Sequence, residues 1–142
     1  LPICTFRERY IKDWGSDVDQ SRVHFLGKLP YADYLSVLQI SSVHVYLTYP
    51  FVLSWSMLEA MSAGCVVLGS ATPPVMEVIR DGENGFLTDF FDAPLLAKRV
   101  AELLAARSDL TGIRHAARET IRAAYDLNSI CLPQMLKVLS PK

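Results

Sequence analysis

Three features of the sequence predict an α/β fold, a parallel sheet covered by helices on both faces. Strand-like runs alternate with helix-like stretches up to residue 88, the order of repeated strand–helix–strand units. The strand-like runs are continuously apolar rather than alternating, as in strands buried on both faces. The middle of the chain is nearly uncharged: no Lys or Arg lies between Lys28 and Arg80, and the acids there are Asp33, Glu59 and Glu77 alone.

The elements follow in order. Residues 5–14 read as a short helix ended by Gly15. Val23-His24-Phe25-Leu26, stopped by Gly27, reads as a first strand. Residues 31–41 place Tyr34, Leu35, Leu38 and Ile40 near helical spacing. Residues 43–47 are β-branched and aromatic, which suits a second strand. A loop over 48–54 leads into a helix of good formers from Trp55 to Ala63, closed by Gly64. Cys65-Val66-Val67-Leu68 is a third strand, and Gly69 to Pro74 a breaker-rich loop. A short helix over 75–80 precedes the turn pairs Asp81-Gly82 and Asn84-Gly85. Phe86-Leu87-Thr88 is a fourth strand. Asp92 is placed to cap a helix over 94–106, whose apolar face is Leu95, Leu96, Val100, Leu103 and Leu104. Two further helices are predicted over 109–124 and 127–139, the last bent at Pro133 because proline lacks a backbone donor.

A chain of 142 residues suits one domain, and a hydrophobic fraction of 51% can fill its core. A net charge of −1 offers no field for nucleic acid, so no such partner is expected. No apolar run approaches the roughly 20 residues that span a bilayer, and no signal-peptide pattern opens the chain. Cys4, Cys65 and Cys131 are odd in number and far apart, which argues against a disulfide framework and a zinc site and fits a cytoplasmic setting. The chain opens at Leu1 as if mid-sequence, so a fragment is expected.

In an open parallel sheet, ligands sit beyond the carboxyl ends of the strands, where helix N-termini present unpaired N–H groups. The loops to inspect are therefore 27–31, 48–55 and 69–75. With no basic residue near 48–55, a phosphate there must be held by backbone N–H groups, by hydroxyls such as Ser54 and Ser56, or by basic groups from outside the chain. Glu59 has two readings. It completes a capping box with Ser56, or its carboxylate accepts paired hydrogen bonds from vicinal hydroxyls such as those of a ribose. His24 and His44 read as packed or strand-edge residues and His115 as solvated. Arg114, Arg118 and Arg122 form an i, i+4, i+8 stripe, either a solvated face or a weak contact with anionic lipid. Tyr49 and Trp55 either pack the helix start or wall a sugar site, and Pro73-Pro74 stiffens the loop before the next helix.

The run from Tyr49-Pro50-Phe51-Val52-Leu53-Ser54 through Glu59-Ala60-Met61 to Gly64-Cys65-Val66-Val67 resembles the signature of the retaining glycosyltransferases of family 4. Pro74-Val75-Met76-Glu77, Asp81-Gly82-Glu83-Asn84-Gly85 and Arg22-Val23-His24-Phe25-Leu26-Gly27 agree with it in order and spacing. The resemblance covers about residues 22–125. It implies the Rossmann-like, donor-binding C-terminal half of a GT-B architecture, with residues 1–142 as that one domain and the acceptor-binding N-terminal domain absent. It implies a nucleoside-diphosphate sugar as donor, that N-terminal domain as partner, and neither metal nor cofactor. Many relatives act on lipid-linked acceptors, so a peripheral place at the inner membrane face is a further expectation. By resemblance Glu59 binds the donor ribose. The first glutamate of the family's Glu-x7-Glu motif falls on Phe51, which cannot accept a hydrogen bond, so the backbone amides of Phe51, Val52, Leu53 and Ser54 are expected to hold the sugar hydroxyls and pyrophosphate. The family's diphosphate-binding Arg and Lys have no counterpart here, so the chain alone is expected to be inactive. Loss of the first glutamate motivates a second reading, a non-catalytic binding module on the same fold. A sugar-nucleotide epimerase of the same architecture is a third, which the pattern around Glu59 fits less well.

Overall fold

Strand β2 (Val66–Ser70) is the spine of the molecule, buried at all five positions. The computed structural model describes residues 3–49, 52–106 and 108–140. Residues 1–34 form one compact unit and residues 35–142 another.

In the first unit, helix α1 (Ile3–Trp14) ends at Gly15, whose N–H donates to the Ile11 carbonyl. Asp19 caps a single 3-10 turn over Gln20–Arg22 by accepting from the Ser21 N–H at 3.0 Å. The strand expected over 23–26 is not formed. Val23 is extended, yet the run has no ladder partner among the described residues. Phe25 instead packs edge-on against Tyr10, with centroids 5.4 Å apart and the Arg7 guanidinium 5.9 Å from its ring. Extended backbone becomes a strand only when a neighbour pairs with it, and an apolar run does not specify that neighbour. His24 is exposed there, neither packed nor at a sheet edge.

Helix α2 (Tyr31–Ile40) leads into the second unit, whose sheet has the order β1-β2-β3. Strand β1 (Val43–Tyr46) and strand β3 (Phe86–Thr88) both pair in parallel with β2, Val43 opposite Val66 and Leu68 opposite Phe86. Among the described residues the sheet thus has three strands where four were expected. Val66 and Leu68 face a core completed by Leu103, Leu110, Leu96, Val100 and Ile113. The other face meets Val75 and Ile79 at Gly69, where an added Cβ would stand 2.8 Å from Val75. Helices or helical turns therefore cover both faces, and the uninterrupted apolar run of β2 follows from that.

Helix α3 (Trp55–Ala63) ends in a left-handed Gly64 at φ 84°. Helix α4 begins at Pro73 and spans Pro73–Met76, earlier than the predicted 75–80. Pro73 and Pro74 open the helix rather than stiffen a loop, because a first turn needs no N–H from them and proline presets φ. The buried Asn84 amide then ties the following turn, accepting from Arg80 N–H and donating to the Val78 carbonyl and Thr120 hydroxyl. Asp92 caps α5 (Ala93–Ala105) through Leu95 N–H at 2.8 Å, as expected, although Leu104 on its apolar face is exposed. Helix α6 (Thr111–Tyr125) packs against α3. After it, Leu127–Cys131 winds as one π-helical turn and α7 (Leu132–Leu139) follows. Pro133 lies in the first turn of α7, so no bend is needed inside the helix and the irregularity falls just before it.

Candidate functional site

Because the three strands run parallel, Thr48, Ser70 and Thr88 stand along one edge of the sheet. The loop after β1 crosses this edge and enters α3. Its root and its tip are both held by buried groups. At the root, the Ser70 hydroxyl donates to the Thr48 carbonyl at 2.9 Å and accepts the Thr48 N–H at 3.0 Å, extending the ladder with a side chain. At the tip, the Tyr46 hydroxyl accepts the Ser54 N–H at 2.9 Å. Tyr46 is 8% exposed and Ser70 is fully buried.

Ser54 is the N-cap of α3. Its hydroxyl accepts from Ser56 N–H at 3.3 Å and lies 3.0 Å from the Ser56 hydroxyl. The helix thus starts two residues earlier than a Ser56 cap requires. Glu59 occupies the fifth helical position, past the third from which a capping glutamate reaches back. The Ser56–Glu59 capping box is therefore not formed. Glu59 is half-buried, and Cα–Cβ bonds on a helix tilt toward its N-terminus, so its side chain leaves the helix on the side of the loop end.

Phe51 lies outside the described residues. Of the other three expected loop donors, Ser54 already has partners: its amide donates to Tyr46 and its hydroxyl caps the helix. Val52 is exposed and Leu53 half-buried, and neither amide has a partner among the described residues. The first helical N–H, that of Trp55, has no acceptor within the helix. Among the described residues, the amides left without a partner are therefore those of Val52, Leu53 and Trp55, at the positive end of a nine-residue helix.

Aromatic rings border this edge. Tyr49, past the end of β1, meets Phe90 and Phe91, past the end of β3, with centroids 5.9 and 6.4 Å apart. The pair spans the end of the central strand between them. Trp55 is 80% exposed, so it does not pack the helix start. Residues 27–31 belong to the first unit. Two surface depressions lie elsewhere, one of about 520 Å³ bounded by Arg9, Tyr10, Asp13, Trp14 and Val18, the other of about 490 Å³ along α7. Neither includes a loop residue, and strand-end geometry marks the candidate site better than concavity does.

Arg114 leaves the expected arginine stripe. It is half-buried and donates to the carbonyls of Gly64 at 2.9 Å and Ser42 at 2.8 Å, at the opposite edge of the sheet. Arg122 pairs with Glu119 at 2.8 Å and Arg118 is exposed. Among the described residues no three of His, Cys, Asp and Glu converge as a metal site, and no helix is long and apolar enough to cross a membrane. Tyr46 and Ser70 escape sequence inspection, because nothing in the spacing of residues 46 and 54 or 48 and 70 announces a hydrogen bond.

Known proteins share this fold. HepE of Anabaena, solved in complex with UDP-glucose, superposes with a TM-score of 0.81 at 22% identity, over 96% of this chain and 36% of its own. Sucrose-phosphate synthase of Thermosynechococcus elongatus gives 0.77 at 26% identity, over 95% of this chain and 33% of its own. EpsD of Bacillus subtilis (strain 168), provisionally named a glycosyltransferase, is 27% identical over 107 residues, 69% of this chain and 28% of EpsD. The chain thus spans about a third of the length of these relatives. Its fold is the Rossmann-like half of a GT-B architecture. The family model for glycosyl transferases group 1 matches residues 11–122, and with that match over most of its length the chain belongs to the glycosyl transferases group 1.

Proposed function

We propose that this chain is the donor-binding domain of a glycosyltransferase that uses a nucleoside-diphosphate sugar and retains the anomeric configuration. The observation that carries the reading is the start of α3. Amides at Val52, Leu53 and Trp55, without a partner among the described residues, precede or open a short helix that carries a half-buried carboxylate, Glu59, one turn on. The amides suit a diphosphate and the carboxylate suits vicinal ribose hydroxyls. HepE, with its UDP-glucose complex, supports a uridine diphosphate sugar as the first donor to test. Backbone dipoles aimed at the diphosphate would stabilise charge developing on the leaving group, the kind of preorganised electrostatics that lowers transfer barriers. In this reading the acceptor site belongs to an N-terminal domain of the same polypeptide, and the basic residues that complete neutralisation lie outside residues 1–142. The chain alone binds donor without transferring it. Transfer takes place in the cytoplasm and needs neither metal nor cofactor.

Titration with UDP, GDP and ADP tests the reading. Amide resonances of Val52, Leu53, Trp55 and Glu59 should move with one of them, and Glu59→Ala should weaken that binding by about 1–3 kcal/mol for a lost charged hydrogen bond. No shift at millimolar nucleotide would sink it. Phe51, in place of a carboxylate, favours a second reading, a binding module without transfer. Nucleotide binding with no sugar transfer by the full polypeptide would select that reading.

A further inference from the structure

We infer that Tyr46 and Ser70 are positioning residues for donor recognition, acting through the backbone of the loop between β1 and α3. The inference rests on the proposed donor site and adds to it the groups that set its geometry. If amides rather than side chains hold the diphosphate, binding is strongest when their directions are fixed before the donor arrives. Here the loop is pinned at both ends. Ser70 grips Thr48 through its N–H and carbonyl at the root, and Tyr46 holds the Ser54 N–H at the tip. Both side chains are buried and belong to the sheet, one to β1 and one to β2. The rigid part of the fold thus holds the two ends of the loop, six residues apart, and the amides of Val52 and Leu53, without a partner among the described residues, lie between them in sequence. Tyr46 adds selectivity. By taking the Ser54 amide it removes one donor from the cradle and orients the cap, so that Trp55 N–H heads the helix. Neither hydroxyl needs to touch the donor.

The test measures nucleoside-diphosphate affinity in the full chain for Tyr46→Phe and Ser70→Ala, with Cys65→Ala as control. Cys65 donates a buried hydrogen bond to the Leu38 carbonyl, next to the amino end of β2, so its loss destabilises without touching the loop. Tyr46→Phe should weaken binding about threefold to tenfold, the worth of one hydrogen bond spent on preorganisation. Its Ser54 amide should exchange faster with solvent. Ser70→Ala should act in the same direction, and Cys65→Ala should bind as the parent does. Three results overturn the inference: unchanged affinity in Tyr46→Phe with the Ser54 amide released, a Ser54 amide that does not respond, or equal weakening by Cys65→Ala. A parent chain that binds no nucleoside diphosphate would instead refute the donor site itself, and this inference with it.

Discussion

His44 shows how a single residue in the sheet reports on folding. It is half-buried in β1, and burial pushes its imidazole below the ordinary histidine value of about 6.5. The folded chain therefore holds it neutral at a pH where the unfolded chain already binds a proton. Its contribution to stability is complete above the unfolded value and is lost as pH falls toward the folded one. Stability should decline from pH 7 to pH 5, and His44→Val should flatten that decline in urea unfolding across the range. Parallel pH curves for parent and variant would clear the imidazole of responsibility. Cys65 follows the same physics in reverse: burial raises its thiol above the usual value, partly offset by the Arg114 charge. A buried, protonated thiol is a poor nucleophile, which suits packing rather than chemistry. The place of His44 in an outer strand was legible in the sequence, whereas its titration and that of Cys65 follow from burial that an apolar run does not quantify.

At the scale of elements, local rules were legible and pairings were not. Gly64 and Asp92 end and begin helices through bonds to their own neighbours, so both stand where the sequence puts them. The run 23–26 needed a neighbour and has none among the described residues. The arginine stripe fails only at Arg114, which finds two carbonyls far away in sequence, while Arg118 and Arg122 are exposed as a solvated face requires. Arg114 bonds the carbonyl at the end of α3 and the one just before β1, which fixes the helix against the strand it follows. Replacing it by Met removes two charge-assisted hydrogen bonds at a half-buried position, an expected loss of about 2–4 kcal/mol. Arg118→Met, at an exposed position, should change stability by no more than about 0.5 kcal/mol. Chemical denaturation of both variants checks the contrast, and equal small losses would return Arg114 to a solvated face.

For the whole molecule, the α/β class was legible because a parallel sheet leaves its mark in composition: β2 is buried on both faces and so is uniformly apolar. The candidate site was half legible. Glu59 and the loop stand out by their isolation in an uncharged stretch, whereas Tyr46 and Ser70 act across eight and twenty-two residues and leave no pattern. The same contrast between a central strand and its periphery should govern dynamics. Val66, Val67 and Leu68 are fully buried, with strands on both sides. Helix α7 buries no residue, and Val138 and Leu139 are among its most exposed side chains. A helix of eight residues is not stable by itself, since nucleation costs more than so few bonds return. Amides of β2 should therefore exchange with deuterium only through global unfolding, with a urea dependence equal to that of the denaturation transition. Amides of α7 should exchange through local opening, orders of magnitude faster and nearly independent of urea at low concentration. If α7 were as protected as β2, its apolar face would have to be covered in solution, and the search for what covers it would begin along the depression bounded by Cys131, Gln134, Met135, Val138 and Leu139.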